Sequence, residues 1–234
     1  MNKINIKNGK NVGAVLAGGT GERFGADIPK QFVSINHKMI IEYTIENLCN
    51  ASRIDEIYLA INPKYWNIGE KLQEKYPKIR KLVKGGKTRN ESIYNVIISL
   101  EENVEKVIFI DAVRPFVSSH IFDAFVELLE NYEVVKFCSK IVDYIVEIDN
   151  SLIKKVLNRN IMRLCSAPVG YRRATLQQMA SKVSSDQFNK FESDLEIVLR
   201  LFPDIKIFSY ESNEFNFKIT YKKDLDIANA LLTK

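Results

Sequence analysis

The chain has 234 residues, 46% of them hydrophobic, and a net charge of +5 at neutral pH. That is apolar material for one full core, yet no run approaches the roughly 18 apolar residues of a membrane span. Lysines alternate with glutamates, as in Gly69–Lys75, which is a solvated helix face and not a nucleic-acid stripe. Three widely separated cysteines and two histidines argue against a disulfide framework, a zinc site or a Ser-His-Asp hydrolase.

The N-terminal Met1–Lys10 is polar and has no apolar core of a signal peptide, so the expected compartment is the cytoplasm. Val12–Leu16 is a short apolar run and reads as a first strand. A helix is expected over 39–50, a strand at Glu56–Ile61, a helix over 64–76 and a short strand at Lys81–Lys84. Residues 88–101 read as helix, Lys106–Ile110 as a fourth strand ending at Asp111, and 118–132 as helix. This alternation predicts an α/β, Rossmann-like, doubly wound and mostly parallel sheet, with its site at the carboxyl ends of the strands. The pattern then changes. Val134–Lys140, Asp143–Glu147 and Leu152–Val156 read as consecutive strands with a turn at Asp149-Asn150, so a β-hairpin arm of about 137–157 is expected to project from a single domain spanning 1–234. Helices near 174–182 and 192–202, a strand at Asp204–Phe208 and a helix from 222 complete the chain.

The run from Leu16 to Gly25 (Leu-Ala-Gly-Gly-Thr-Gly-Glu-Arg-Phe-Gly), followed by Pro29-Lys30, carries the strongest chemical signal. Its glycines let backbone N–H groups approach an anion, while Arg23 and Lys30 add two cations. A strand opening into such a loop is suited to a triphosphate. It is not a P-loop, which needs G-x-x-x-x-G-K-[ST]. Nor is it the dinucleotide fingerprint, because Gly25 falls one residue late and the acidic position about 20 residues on is Glu42, inside an apolar-periodic helix. An isolated loop of this kind could equally be an ordinary βα turn.

Two further segments matter. Asp111-Ala112-Val113-Arg114-Pro115 ends the fourth strand. There a carboxylate can hold a divalent cation on nucleotide phosphates and Arg114 can clamp a phosphate; the plain alternative is a helix cap and a surface arginine. Gly85-Gly86-Lys87-Thr88-Arg89-Asn90-Glu91-Ser92 is a second glycine turn into a helix, with Arg89 and Ser92 on one face of the first turn.

In this order these segments, with Pro29–Phe32 and the late Asn216–Thr220 and Asp224-Leu225, resemble the cytidylyltransferase family that includes methylerythritol-phosphate and ribitol-phosphate cytidylyltransferases. The likeness runs from Val12 to Leu231 and implies a nucleotidyltransferase-type fold. It implies that Leu16, Ala17, Gly18, Gly19, Thr20 and Gly21, with Arg23 and Lys30, hold the triphosphate of CTP. Gly85, Arg89 and Ser92 are then expected to read cytosine and ribose, and Asp111 with Ala112 to serve the Mg2+-nucleotide. Arg114, Lys218 and Tyr144 fall to the phosphorylated acceptor. Arg159 matches an arm arginine that reaches the partner subunit's site, so a homodimer is expected, with Arg23, Lys30, Arg159 and Lys218 as the catalytic cations.

The chain departs from the family mainly on the acceptor side. Ile110 precedes the Asp in place of the usual His, and the arm's usual Asp-Thr is Asp143-Tyr144. A Thr-Pro-Gln becomes Ala167-Pro168-Val169, and a Thr-Asp pair appears as Ser193-Asp194. The motifs resemble ribitol-type members more closely, which ranks ribitol 5-phosphate first as acceptor and methylerythritol 4-phosphate second. Rival readings are a catalytically inactive nucleotide-binding domain and an NAD(P)-dependent reductase. The failed fingerprint argues against the reductase.

Overall fold

Every residue from Asn11 to Ala17 is buried, the mark of a parallel strand covered on both faces. In the computed structural model, which describes residues 9–19, 24 and 28–232, this strand is β1 (Lys10–Ala17) and lies near the centre of a seven-stranded sheet. A minor hairpin, β2 (Ser34–Ile35) and β3 (Lys38–Met39), turns through Asn36 and His37, both at positive φ, and leads into α1 (Ile40–Asn50). There follow β4 (Glu56–Ile61), α2 (Trp66–Lys75), β5 (Ile79–Lys84), α3 (Arg89–Ile98), β6 (Val104–Asp111) and α4 (Ser119–Leu128). The remaining elements are β7 (Val134–Lys140), β8 (Ile145–Asp149), β9 (Leu152–Leu157), β10 (Arg163–Arg172), α5 (Arg173–Lys182), α6 (Ser185–Phe188), α7 (Asp194–Leu201), β11 (Ile207–Glu211) and α8 (Asp224–Leu232).

The sheet order is β11-β7-β10-β6-β1-β4-β5. Neighbours are parallel except β10, which runs antiparallel to both β6 and β7. Alternate residues of each strand face opposite layers. Val15, Leu59, Ile108 and Phe137 pack under α1 and α4, whose Ile45, Leu48, Phe122 and Phe125 are fully buried. Val12, Tyr58, Phe109 and Tyr171 pack under α3, α5 and α7 through Ile93, Val96, Met179 and Ile197. The mostly parallel, doubly wound sheet expected from the alternating pattern is therefore the observed one. Among the described residues no helix is long and apolar enough to cross a membrane.

The second half contains the short helix α6, which was not expected, and its last strand begins three residues later than expected, at Ile207; three larger differences concern the arm and the main sheet. Val134–Lys140 is a strand of the main sheet, so the arm is the separate two-stranded unit β8–β9, and residues 137–140 do not belong to it. Its turn is Asn150-Ser151, both at positive φ, one residue later than expected; a two-residue loop of that conformation matches the twist of the strands. Finally, β10 was not foreseen. Its ladder with β7 is interrupted between Ser166 and Val169, around Pro168. Proline cannot donate to a ladder and sits at such irregularities, which hides the strand pattern.

Candidate active site

The carboxyl ends of β1 and β6 lie side by side, tied by the Ala112 N–H donating to Leu16 O at 3.1 Å. Above them opens a cavity of about 480 Å³ lined by Leu16–Gly19, Lys30, Gln31, Lys87–Arg89, Ser92, Asp111–Val113 and Lys218. It brings together the first glycine loop, Pro29-Lys30, the second glycine loop, the Asp111 segment and the late Lys218. Thr20, Gly21 and Arg23 lie outside the described residues.

Two backbones must nearly touch to form this floor. Gly85 donates its N–H to Ile61 O at 2.7 Å, while Asn62 Nδ2 donates to Gly18 O at 3.3 Å. A Cβ on Gly18 would stand 2.8 Å from Ser92 Oγ. Ser92 Oγ accepts from Gly86 N at 3.0 Å and donates to Thr88 O at 2.9 Å, locking the second loop onto α3. Thr88 caps that helix by accepting from Glu91 N at 3.0 Å. Gln31, buried beside Lys30, donates to Ala17 O at 3.1 Å and Gly19 O at 2.8 Å. No role is evident for it in the sequence; a buried amide one residue from a cationic loop position is the signal that could have found it.

Asp111 is the electrostatic centre. Its Oδ1 faces Arg89 Nε at 3.3 Å, and its Oδ2 faces Arg114 Nε at 3.2 Å and Lys218 Nζ at 2.9 Å. Burial opposes the charge, but these three cations hold the carboxyl well below the usual carboxylate range. Asp111 is not a helix cap, since α4 begins eight residues later, behind Ser118. Arg114 is also buried, with Nη1 donating to Asn216 O at 3.1 Å and Asn216 Oδ1 at 2.8 Å. Asn216 in turn donates to Ala167 O at 2.7 Å. Arg114 thus backs Asp111 from behind the cavity wall.

A second, deeper layer joins Arg89 to Asp194 of the Ser193-Asp194 pair and, through it, to Tyr171, which the sequence did not single out. Arg89 Nη1 meets Asp194 Oδ1 at 2.5 Å, and the Tyr171 hydroxyl donates to Asp194 Oδ2 at 2.5 Å. Burial raises the Asp194 carboxyl, but Arg89 and Lys136 more than offset this and its pKa is lowered. The Tyr171 phenol is pushed well up by burial and by Asp194. The Arg89 guanidinium therefore bridges two carboxylates while still lining the cavity.

The structure does not bring Tyr144 and Arg159 to this cavity within one chain. Tyr144 is 77% exposed at the base of the arm, and the Arg159 guanidinium stacks over its ring at 5.1 Å and donates to Val142 O. No group of three or more His, Cys, Asp or Glu that could cage a metal occurs among the described residues. Among the described lining residues Asp111 alone supplies a carboxylate, which fits Mg2+ carried largely by a substrate's phosphates.

A glycine-floored cavity with cations around one ionised carboxylate, at neighbouring carboxyl ends of a doubly wound sheet, is the arrangement of a nucleotidyltransferase. The model of the family described as "IspD: 2-C-methyl-D-erythritol 4-phosphate cytidylyltransferase" matches residues 12–234, and the chain belongs to that family of CTP-dependent enzymes. It is 31% identical over 228 residues to the bifunctional ribulose 5-phosphate reductase/CDP-ribitol pyrophosphorylase Bcs1 of Haemophilus influenzae, covering 95% of this chain but only 48% of that protein. The chain thus spans about half the length of that relative. It is 30% identical to the 2-C-methyl-D-erythritol 4-phosphate cytidylyltransferase of Thermotoga neapolitana over 223 residues, 94% of this chain and 96% of that one. In fold it is similar to the 4-diphosphocytidyl-2C-methyl-D-erythritol synthase of Anaerococcus prevotii, with a TM-score of 0.82 at 23% identity, covering 97% of this chain and all of that one.

Proposed function

We propose that the protein transfers CMP from CTP to the phosphate of an alditol phosphate, with 2-C-methyl-D-erythritol 4-phosphate as the first acceptor. The matching family and the full-length relatives carry that substrate in their names, which reverses the order that the motifs alone suggested. Ribitol 5-phosphate is the second reading, favoured by the CDP-ribitol enzyme at 31% identity. The observation that carries the reaction is the joint lining of one cavity by Gly18, Gly19, Lys30, Asp111 and Lys218.

In this reading the backbone of Ala17–Gly19, with Lys30 and Arg23, cradles the triphosphate, and Gly85, Arg89 and Ser92 shape the nucleoside end. The acceptor's phosphate monoester has a second pKa near ~6 and is largely dianionic at neutral pH. One of its oxygens forms a bond to the α-phosphorus while the bond to the β-phosphate bridging oxygen breaks, and pyrophosphate leaves. The nucleophile arrives deprotonated, so no general base is required. The barrier is repulsion between anions and charge at phosphorus, which Lys30 and Lys218 at the cavity, together with Arg23 of the same loop sequence, offset. Asp111 is the group that would hold Mg2+, whose chemistry is to neutralise phosphate charge. Arg159 and Tyr144 act from the partner's arm in a homodimer.

The test is pyrophosphate release from CTP and Mg2+ with each of 2-C-methyl-D-erythritol 4-phosphate, ribitol 5-phosphate and glycerol 3-phosphate. The highest kcat/KM is expected for the first. A higher value for ribitol 5-phosphate would reverse the ranking, and no release with any of them would remove the alditol-phosphate reading.

A further inference from the structure

Cys138 and Cys165 lie 27 positions apart in the chain, yet the sheet sets them face to face. They are register partners in the antiparallel ladder of β7 and β10. Their sulfurs stand 3.4 Å apart, one thiol donating to the other. Directly opposed residues of an antiparallel pair have Cα atoms about 4.5–5.5 Å apart, inside the roughly 4.4–6.8 Å that a disulfide spans. The backbone is therefore already placed for a bond between the two sulfurs.

The two thiols differ in access. Cys165 is exposed, whereas Cys138 is 3% exposed, in register with Cys165 on one side and Glu211 of β11 on the other. A dissolved oxidant meets Cys165 first, and Cys138 is then met from Cys165. The Cys165 sulfur is partly screened from water, and this, with the Cys138 thiol beside it, holds its pKa above the ordinary value. Thiolate is accordingly scarce at neutral pH, and the pair rests as a dithiol. Neither thiol lines the cavity at Asp111. The pair stands where the β7–β10 ladder breaks, between Ser166 and Val169. Beside that break Ser166 Oγ and Ala167 O accept from Asn216 Nδ2 at 3.2 and 2.7 Å, and Cys138 O accepts from Ser212 N at 3.2 Å. A covalent tie here braces the two strands that hold the Asn216 segment against Arg114.

We propose that Cys138 and Cys165 form a reversible thiol–disulfide modification site, oxidised by a small disulfide of the glutathione class to a cross-strand disulfide. The Cys165 thiolate attacks one sulfur of glutathione disulfide, breaks that S–S bond, forms a mixed disulfide and releases one glutathione. Cys138, deprotonated in turn, attacks the Cys165 sulfur, closes the Cys138–Cys165 bond and expels the second glutathione. The protein gives up two electrons and two protons, which leave on two glutathione thiols. The proposal stands independently of the reaction assigned to the cavity.

The experiment incubates the native, fully reduced chain with excess glutathione disulfide at pH about 8.5, where an ordinary thiol is half ionised. The sample is quenched in acid, alkylated in denaturant and mapped by mass spectrometry without reduction. In wild type a peptide joining Cys138 to Cys165 is expected, with Cys49 left to alkylate, and dithiothreitol should return all the cysteines to the alkylated form. Cys138→Ser should stop at glutathione on Cys165, and Cys165→Ser should leave Cys138 reduced. Wild type in which Cys138 and Cys165 both stay free overturns the proposal. So does glutathione that persists on Cys165 beside a free Cys138, or a disulfide that joins either residue to Cys49. The wild-type result decides the matter by itself should a variant fold poorly.

Discussion

Gly85 and Gly18 meet backbone to backbone: a Cβ on Gly85 would stand 2.7 Å from Gly18 Cα and 2.9 Å from the Ile61 carbonyl carbon. Neither neighbour is a flexible side chain, so Gly85→Ala must push the two loops apart. Overpacking of this kind costs about 1–3 kcal/mol, an expected fall in Tm of roughly 2–4 °C for each kcal/mol in a chain of this size. CTP affinity should fall ~10-fold or more because the cavity floor is displaced. Gly19 is the control, since a Cβ there meets nothing within 4 Å. Gly19→Ala should keep the wild-type Tm, and any loss of CTP binding, read by calorimetry, then reports the space that a phosphate needs.

Lys30→Ala is expected to lower kcat by ~10²-fold, as loss of a single transition-state donor does, with a Tm close to wild type. Lys30 lines the cavity from a short 3-10 turn and not from the core. Arg23→Ala is expected to behave alike on the grounds of the sequence. Near-normal turnover in either variant would remove that residue from the machinery.

Asp111→Asn should raise the Mg2+ concentration needed for half-maximal turnover and lower kcat, because the carboxylate at the cavity is lost and Arg89, Arg114 and Lys218 are left facing one another. Titration of turnover with Mg2+ in wild type and variant, and activity in excess EDTA, are the measurements. Full wild-type activity in EDTA would exclude a divalent requirement.

Asp194 has a lowered pKa in the folded chain. Its contribution to stability is therefore fully present above the unfolded carboxylate value of about 4 and is lost as pH falls through the lower folded value. Asp194→Asn should unfold earlier than wild type near pH 7, and the gap in Tm should close as the pH is taken below about 4. A gap that persists unchanged into strong acid would show that packing and not charge sets the effect.

On the arm, Ile148, Leu152, Ile153 and Val156 are each between 59% and 67% exposed. A two-stranded hairpin is marginal in isolation, and a cluster of exposed apolar side chains marks an interface. Light scattering is expected to give a dimer, and Ile148→Asp with Ile153→Asp a monomer with reduced turnover. A fully active monomeric wild type would overturn both the dimer and the role of Arg159 in trans.

The glycine floor of the cavity was legible because its signals are local: a strand, glycines and a cation close together in sequence, and Asp111-Ala112 at a strand end. Even the pairing of the loops with Asp111 follows from the strand alternation. What stayed hidden depends on contacts between distant segments. Tyr171 meets Asp194, the partner of Arg89, only because β10 inserts antiparallel beside β6, and β10 was invisible behind Pro168. Lys136 reads as one more lysine in a strand until its partners β10 and β11 show that it is buried. The arm's start was misjudged for a similar reason, since Val134–Lys140 has the alternation of a hairpin strand and only its partners β10 and β11 assign it to the main sheet.

The antiparallel insertion of β10 also divides the chain in time as well as in space. Apart from Lys218, everything that lines the cavity belongs to residues 16–113, while the strands on the far side of Asp111, the arm and Asp194 all come later. Substitutions in the second half can therefore alter the strands beyond Asp111 and the arm while leaving the cavity's own lining, Lys218 apart, untouched.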